Sequence, residues 1–143
     1  MYLDSNVLLA HIRNNTGEVR AYAEAALKVG GGIVISDVLV EVLAKAESLK
    51  RIETKAQGKE FGKVASSEYR KKLASEILSW HSRDIIVIND SIAIRALEFM
   101  KVIGLDYVDC LLIQTAYAEK NKVATSDKEM CAALGSLRWV PGT

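Results

Sequence analysis

Met1-Tyr2-Leu3-Asp4-Ser5-Asn6 opens the chain, a short apolar run that ends in an acid, then a hydroxyl, then an amide. That order predicts a short strand carrying the Asp4 carboxylate to its C-terminal end, with Ser5 or Asn6 starting a helix. Three later strand ends or helix starts bring acids in the same manner: Glu41, Asp109 and Asp127. If the strands carrying them lie side by side, the four acids share one end of one sheet.

Working outward, the same alternation recurs along the chain. Val7 to Arg13 predicts a short buried helix. Asn15 or Thr16 is placed to cap an Ala-rich helix over Glu18–Val29, which Gly30-Gly31-Gly32 ends. The glycine triplet precedes a strand instead of joining strand to helix, so it reads as a helix C-cap and turn, not a phosphate loop. Ile33-Val34-Ile35 is a fully apolar strand, and Ser36 or Asp37 caps the helix after it. Val38, Leu39, Val42, Leu43, Ala46 and Leu49 form one stripe of that helix. Glu41 lies well off its centre, where periodicity alone assigns it to solvent near a helix N-terminus.

Residues 53 to 62 read as the turn of a helical hairpin, followed by a stripe of Ala65, Tyr69, Leu73, Ile77 and Trp80. Ile85–Ile88 is another apolar strand. Asn89-Asp90-Ser91 caps a helix from Ile92 to about Val102, stopped at Gly104; Asp90 is an N-cap or a fifth acid at a strand end. An apolar helix follows from Val108 to about Glu119, then the strand Val123-Ala124-Thr125 leading to Ser126-Asp127. A short helix spans Lys128–Leu134, and Leu137–Val140 forms a last edge strand closed by Pro141. This predicts one α/β domain over residues 1–143, with a mainly parallel sheet of about five strands flanked by helices and a helical hairpin inserted around 45–80. Ligands of such sheets sit outside the carboxyl ends of the strands, where Asp4 and Asp127 lie, with Glu41 and Asp109 in the helical turns just beyond.

Composition narrows the class. Half of the 143 residues are hydrophobic and a quarter are charged, enough for one core and unlike a disordered or fibrous chain. No apolar run approaches the roughly 18 to 20 residues that span a bilayer, and an acid at position 4 leaves no room for a secretory leader. Cys110 and Cys131 each stand alone, as expected of reduced thiols in a cytoplasmic protein. The net charge of +1 favours no polyanion, but residues 45–72 hold nine Lys/Arg against four Glu, a local +5 that leaves −4 for the remainder. A basic segment beside an acidic pocket suits a polyanion held by its phosphates, with Lys45, Lys50, Arg51, Arg70 and Lys71 as the RNA-contacting candidates. A solvated, Lys-rich helical hairpin accounts for the same charges.

Asp109 is the acid that periodicity does not dismiss, because it falls beside Leu112, Ile113 and Ala116 on an apolar flank. Asp106, three residues earlier, is the natural N-cap, which leaves Asp109 free to point elsewhere. A buried, unpaired carboxylate costs several kcal/mol, and no base lies within a helical turn. A metal ion shared with Asp4 and Asp127 would relieve that cost. Carboxylate donors without His or Cys favour Mg2+ or Mn2+ over zinc. Such an ion polarises a phosphodiester and lowers the pKa of a bound water.

On these residues the chain resembles the PIN-domain ribonucleases, and within them the VapC-type toxins of toxin–antitoxin pairs. The matching stretches are Tyr2-Leu-Asp-Ser-Asn6, Ser36-Asp-Val-Leu-Val-Glu-Val42, Tyr107-Val-Asp-Cys-Leu-Leu-Ile-Gln-Thr-Ala116 and Ala124-Thr-Ser-Asp127, in the family's order and across nearly the whole chain. The resemblance implies an endoribonuclease whose metal-binding catalytic quartet is Asp4, Glu41, Asp109 and Asp127. It implies supporting roles for Ser5, Asn6, Ser36 and a hydroxyl near the last acid, Thr125 or Ser126. It further implies a homodimer and an antitoxin peptide that covers the groove. Ser5 stands where the family most often has Thr, and residues 53–80 have no residue-by-residue counterpart. The alternative is a non-catalytic PIN-like RNA-binding or assembly module. A phosphatase of the haloacid-dehalogenase type would want a second acid at position 6, which is Asn; a phospho-receiver domain would want paired acids beside the first strand.

Overall fold

The computed structural model describes residues 1–13, 17–29, 31–79 and 84–142. The expected cap at Asn15 or Thr16, Gly30 of the glycine triplet, and Trp80 and His81 lie outside these residues.

Four short parallel strands form the sheet: β1 (Tyr2–Leu3), β2 (Ile33–Ile35), β3 (Asp84–Ile86) and β4 (Val123–Ala124). Their order is β3-β2-β1-β4, with Tyr2 opposite both Ile33 and Val123. The first strand is therefore internal, and its apolar residues are buried on both faces. Among the described residues seven helices flank the sheet: α1 (Ser5–Ile12), α2 (Glu18–Val29), α3 (Ser36–Ala56), α4 (Lys63–Leu78), α5 (Asp90–Ile103), α6 (Tyr107–Glu119) and α7 (Lys128–Leu134). The core gathers Leu3, Leu8, Ile35, Val38, Leu111, Leu112, Ile113 and Met130, all essentially inaccessible. Parallel strands joined by helical crossovers put every strand's C-terminus on one edge, which sets Asp4 and Asp127 side by side in the fold.

Several local expectations change. The expected fifth strand over Leu137–Val140 is a 3-10 turn (Gly135–Leu137) followed by one parallel bridge, Val123 to Arg138. Gly135, at φ +57°, turns the chain out of α7, and the segment after it meets the two-residue β4 only at Val123, whose carbonyl accepts the Trp139 N–H at 2.8 Å. The strand over Ile85–Ile88 shifts to Asp84–Ile86, and Ile85 and Val87 are exposed. It is an edge strand with a partner on one side only, so its apolar run is not covered on both faces.

The hairpin turn is shorter than 53–62. Helix α3 continues to Ala56, and the turn begins at Gln57 and Gly58, the latter in the left-handed region at φ +74°. In α4, Ala65 is exposed and Ser66 takes the buried position instead, because its hydroxyl donates to Glu47 Oε1 at 2.6 Å. Glu47 also takes a bidentate pair from Arg70, at 2.9 and 2.7 Å. The Arg70 and Ser66 donors hold its carboxyl down to about 2, so this clamp between α3 and α4 stays charged through ordinary pH.

Helix starts are also revised. Asp4 itself caps α1, accepting the Ser5 N–H at 2.7 Å, where Ser5 or Asn6 was expected. Ile35 occupies the N-cap of α3 with no side-chain bond, so neither Ser36 nor Asp37 caps it. Asn89 caps α5 through the Ile92 N–H, and Asp90 lies exposed in its first turn.

Candidate metal and active site

Asp4 sits at the tip of the internal strand and is 2 % exposed. Its Oδ1 accepts the Ser5 N–H and its Oδ2 accepts the Thr125 hydroxyl at 2.6 Å. Burial pushes its carboxyl above the ordinary range; the two hydrogen bonds oppose that shift, and Glu41 and Asp127 add to it.

Thr125, buried at the end of β4, is the hub behind Asp4. A hydroxyl has one proton to give and two lone pairs to receive, and Thr125 uses all three. It donates to Asp4 and accepts from Asn6 Nδ2 at 3.3 Å and from the Asp127 N–H at 3.1 Å. Asn6 turns its other end to the Ser126 N–H, at 3.3 Å. The first strand's loop and the fourth strand's loop are thereby stitched together around one carboxylate. Of the two candidate hydroxyls, that of Thr125 bonds Asp4, while Ser126 bonds Asn6 through its backbone N–H.

Glu41 does not point to solvent as periodicity assigns it. Its side chain is 18 % exposed and its Oε1 accepts from Ser5 Oγ at 2.6 Å and Lys45 Nζ at 3.0 Å. Two polar contacts thus hold an off-stripe acid inward, and the one from Ser5, at the start of α1, is invisible to a helical wheel. Asp127 is exposed and caps α7, its Oδ1 accepting the Glu129 and Met130 N–H groups at 2.9 and 3.1 Å. Ser36 bonds Asp37 at 3.3 Å and makes no contact with the quartet.

Asp109 is the unsatisfied member. Asp106 caps α6 by accepting the Asp109 N–H at 2.9 Å, as expected, which leaves the Asp109 side chain clear of the helix end. No donor among the described residues meets its half-buried carboxylate. Burial first, then the charges of Asp4, Asp106, Glu41 and Asp127, raise its carboxyl to about 7.

The four acids therefore act on one another electrostatically, but they do not close into a cage. Among the described residues no group of three His, Cys, Asp or Glu side chains is positioned to hold a metal ion. The physical reason is visible in three of the four: Asp4, Glu41 and Asp127 are each turned toward hydrogen-bond donors of their own. The donor chemistry nevertheless fits a hard divalent cation, since all four side chains offer oxygen, one is orphaned, and Asp4 is buried among like charges. Soft donors are directed elsewhere: Cys110 and Cys131 bond backbone carbonyls of Leu105 and Thr125, and His11 pairs with Glu24 at 3.2 Å.

Most of the bases singled out in the hairpin are already engaged. Arg70 is bound to Glu47, Arg51 to Glu47 and the Phe61 ring, Lys71 to Glu68, and Lys50 lies over the Tyr69 ring. Of the five bases read as RNA contacts, Lys45 is the one paired with an acid of the quartet.

Sequence reasoning missed Tyr22. Its hydroxyl accepts the Thr125 N–H at 3.1 Å and donates to the Trp139 carbonyl at 3.0 Å, and its ring meets Trp139 edge-on with centroids 5.5 Å apart. Tyr22 lies in the middle of an Ala-rich helix, and no motif or period singles it out. Tyr22→Phe keeps the ring contact and removes both hydrogen bonds. We expect it to cost about 1 kcal/mol of stability, with chemical denaturation as the check. A wild-type value would remove Tyr22 from the support of Thr125.

A family model described as "PIN domain" matches residues 1–134. Among solved structures, a chain of a toxin–antitoxin complex from Klebsiella pneumoniae superposes with a TM-score of 0.63 at 17% identity, covering 98% of this chain and 96% of that one. At that identity the likeness is one of fold. Comparison with curated protein sequences gives no significant match.

Proposed function

The chain belongs to the PIN domain family, and from that premise we propose that it is a divalent-metal-dependent endoribonuclease, the toxin of a toxin–antitoxin pair. Nucleases of this family generally use divalent metals. The observation that carries the reading is the half-buried Asp109 carboxylate, without a donor among the described residues and beside the charges of Asp4, Glu41 and Asp127. Four carboxylates placed this way repel one another until a cation joins them.

Asp4, Asp109, Asp127 and Glu41 would hold Mg2+ or Mn2+, which when bound polarises the phosphodiester and lowers the pKa of a water ligand. The protein's own contribution is positional. Thr125 and the Ser5 N–H fix the Asp4 carboxylate in one orientation, and the Ser5 hydroxyl does the same for Glu41. Asn6 ties the Asp4 loop to the Asp127 loop, so the two strand ends keep their spacing. None of these side chains needs to act as the nucleophile.

An antitoxin partner is supported by the neighbour's description as a toxin–antitoxin complex. A homodimer is proposed with it, as the family resemblance implies. Among the described residues no helix is long and apolar enough to cross a membrane.

The test is expression with and without the gene's genomic neighbour, with RNA 5′ ends sequenced and the purified protein sized by light scattering. Growth arrest with discrete new ends is expected, rescued by the neighbour and lost in Asp4→Asn, from a particle of twice the 15.7 kDa chain mass. New ends that persist in Asp4→Asn would rule out the acidic site. No new ends at any Mn2+ concentration would favour a non-catalytic RNA-binding or assembly module.

A further inference from the structure

We propose that Lys45 is the site's own counter-ion, which a divalent cation displaces from Glu41 and which then contacts a phosphate of the RNA. The inference rests on the metal-dependent nuclease reading above. Lys45 lies one helical turn after Glu41 on α3, with Nζ 3.0 Å from Oε1, the same oxygen that accepts the Ser5 hydroxyl at 2.6 Å. The acid is turned inward, 18% exposed, while the lysine side chain is 54% exposed, so the ammonium stands at the rim of the pocket. No other ion pair among the described residues joins a base to Asp4, Glu41, Asp109 or Asp127.

Exchange of partners is physically easy. An exposed pair one helical turn apart contributes only a few tenths of a kcal/mol, and a divalent cation among several carboxylates gains far more. Once released, the ammonium hangs on a flexible four-carbon stem at the edge of the acid cluster. A lysine there is a point-charge ligand for a phosphate oxygen. Of the other four bases singled out in the hairpin, Arg51 and Arg70 are held by Glu47 and Lys71 by Glu68, while Lys50 lies over the Tyr69 ring.

The two halves of the proposal move two measurements in opposite directions. As the partner of Glu41, Lys45 competes with the metal; as a phosphate ligand, it promotes cleavage. We expect metal-free Lys45→Gln to bind Mn2+ about twofold more tightly than wild type by titration calorimetry. At saturating Mn2+ the same variant should cleave total cellular RNA about tenfold more slowly. Lys28→Gln, an exposed change in the last turn of α2, is the charge control and should alter neither.

Unchanged or weaker Mn2+ affinity in Lys45→Gln overturns the proposal, as does tighter Mn2+ binding with wild-type cleavage. An equal gain of affinity in Lys28→Gln also overturns it, by assigning the effect to net charge. Wild-type protein that neither binds Mn2+ nor cuts RNA ends the nuclease reading and this one with it. Wild-type protein that does both, beside an unaltered Lys45→Gln, ends this one alone.

Discussion

Asp109→Asn is expected to lower Mn2+-dependent RNA cleavage by at least about 100-fold while raising the melting temperature of the metal-free protein at pH 8 by about 5 °C. The two effects have one cause. Burial and four neighbouring acids raise the Asp109 carboxyl to about 7, so at pH 8 the native state carries a charge it resists. With the group half in solvent, that resistance amounts to about 2 kcal/mol, and an amide of the same shape removes it. The amide also removes the negative oxygen that a cation would bind.

The sign of the pH dependence follows. A carboxyl raised from 3.8 to about 7 in the folded state stabilises the fold fully below the lower value, and that contribution is lost as pH climbs through the upper one. Metal-free wild type should therefore melt at a higher temperature at pH 5 than at pH 8. The advantage of Asp109→Asn should be present at pH 8 and absent below pH 4. Adding Mn2+ at pH 8 should restore wild type and leave Asp109→Asn nearly unmoved. A variant less stable than wild type at pH 8 without metal would mean that Asp109 has a favourable partner in the protein, and the need for a cation would vanish.

How much of this was legible in the chain differs by residue. The alternation of short apolar runs with periodic segments was sufficient for a mainly parallel sheet, because burial on both faces demands uninterrupted apolar strands. Asp109 was readable because its wheel neighbours are apolar and Asp106 already serves as the cap. Glu41 was not, since what draws it inward is Ser5, thirty-six residues away. The edge elements failed for a related reason: whether Ile85–Ile88 or Leu137–Val140 pairs depends on a neighbour's length, not on local propensity. The basic hairpin misled differently. Its charges are real, but Glu47, Glu68, Tyr69 and Phe61 engage most of those singled out, and a count of charges does not register partners.

Thr125→Val should be the most damaging change outside the acids, costing about 3 kcal/mol and about 100-fold in cleavage. Valine matches the shape of threonine, so the loss is that of the hydroxyl. Removing it takes the donor from Asp4 and leaves the Asn6 amide and the Asp127 N–H without an acceptor inside the protein. Thr125→Ser keeps all three bonds and should stay within a few-fold of wild type. The Thr125 bond also lowers the Asp4 pKa against burial; its loss should move the acid limb of the cleavage profile to higher pH, a change that mere loosening of the fold would not produce. Denaturation and a pH–rate profile on both variants separate the cases. Valine with wild-type stability and an unmoved acid limb would mean that Asp4 is set by its strand alone.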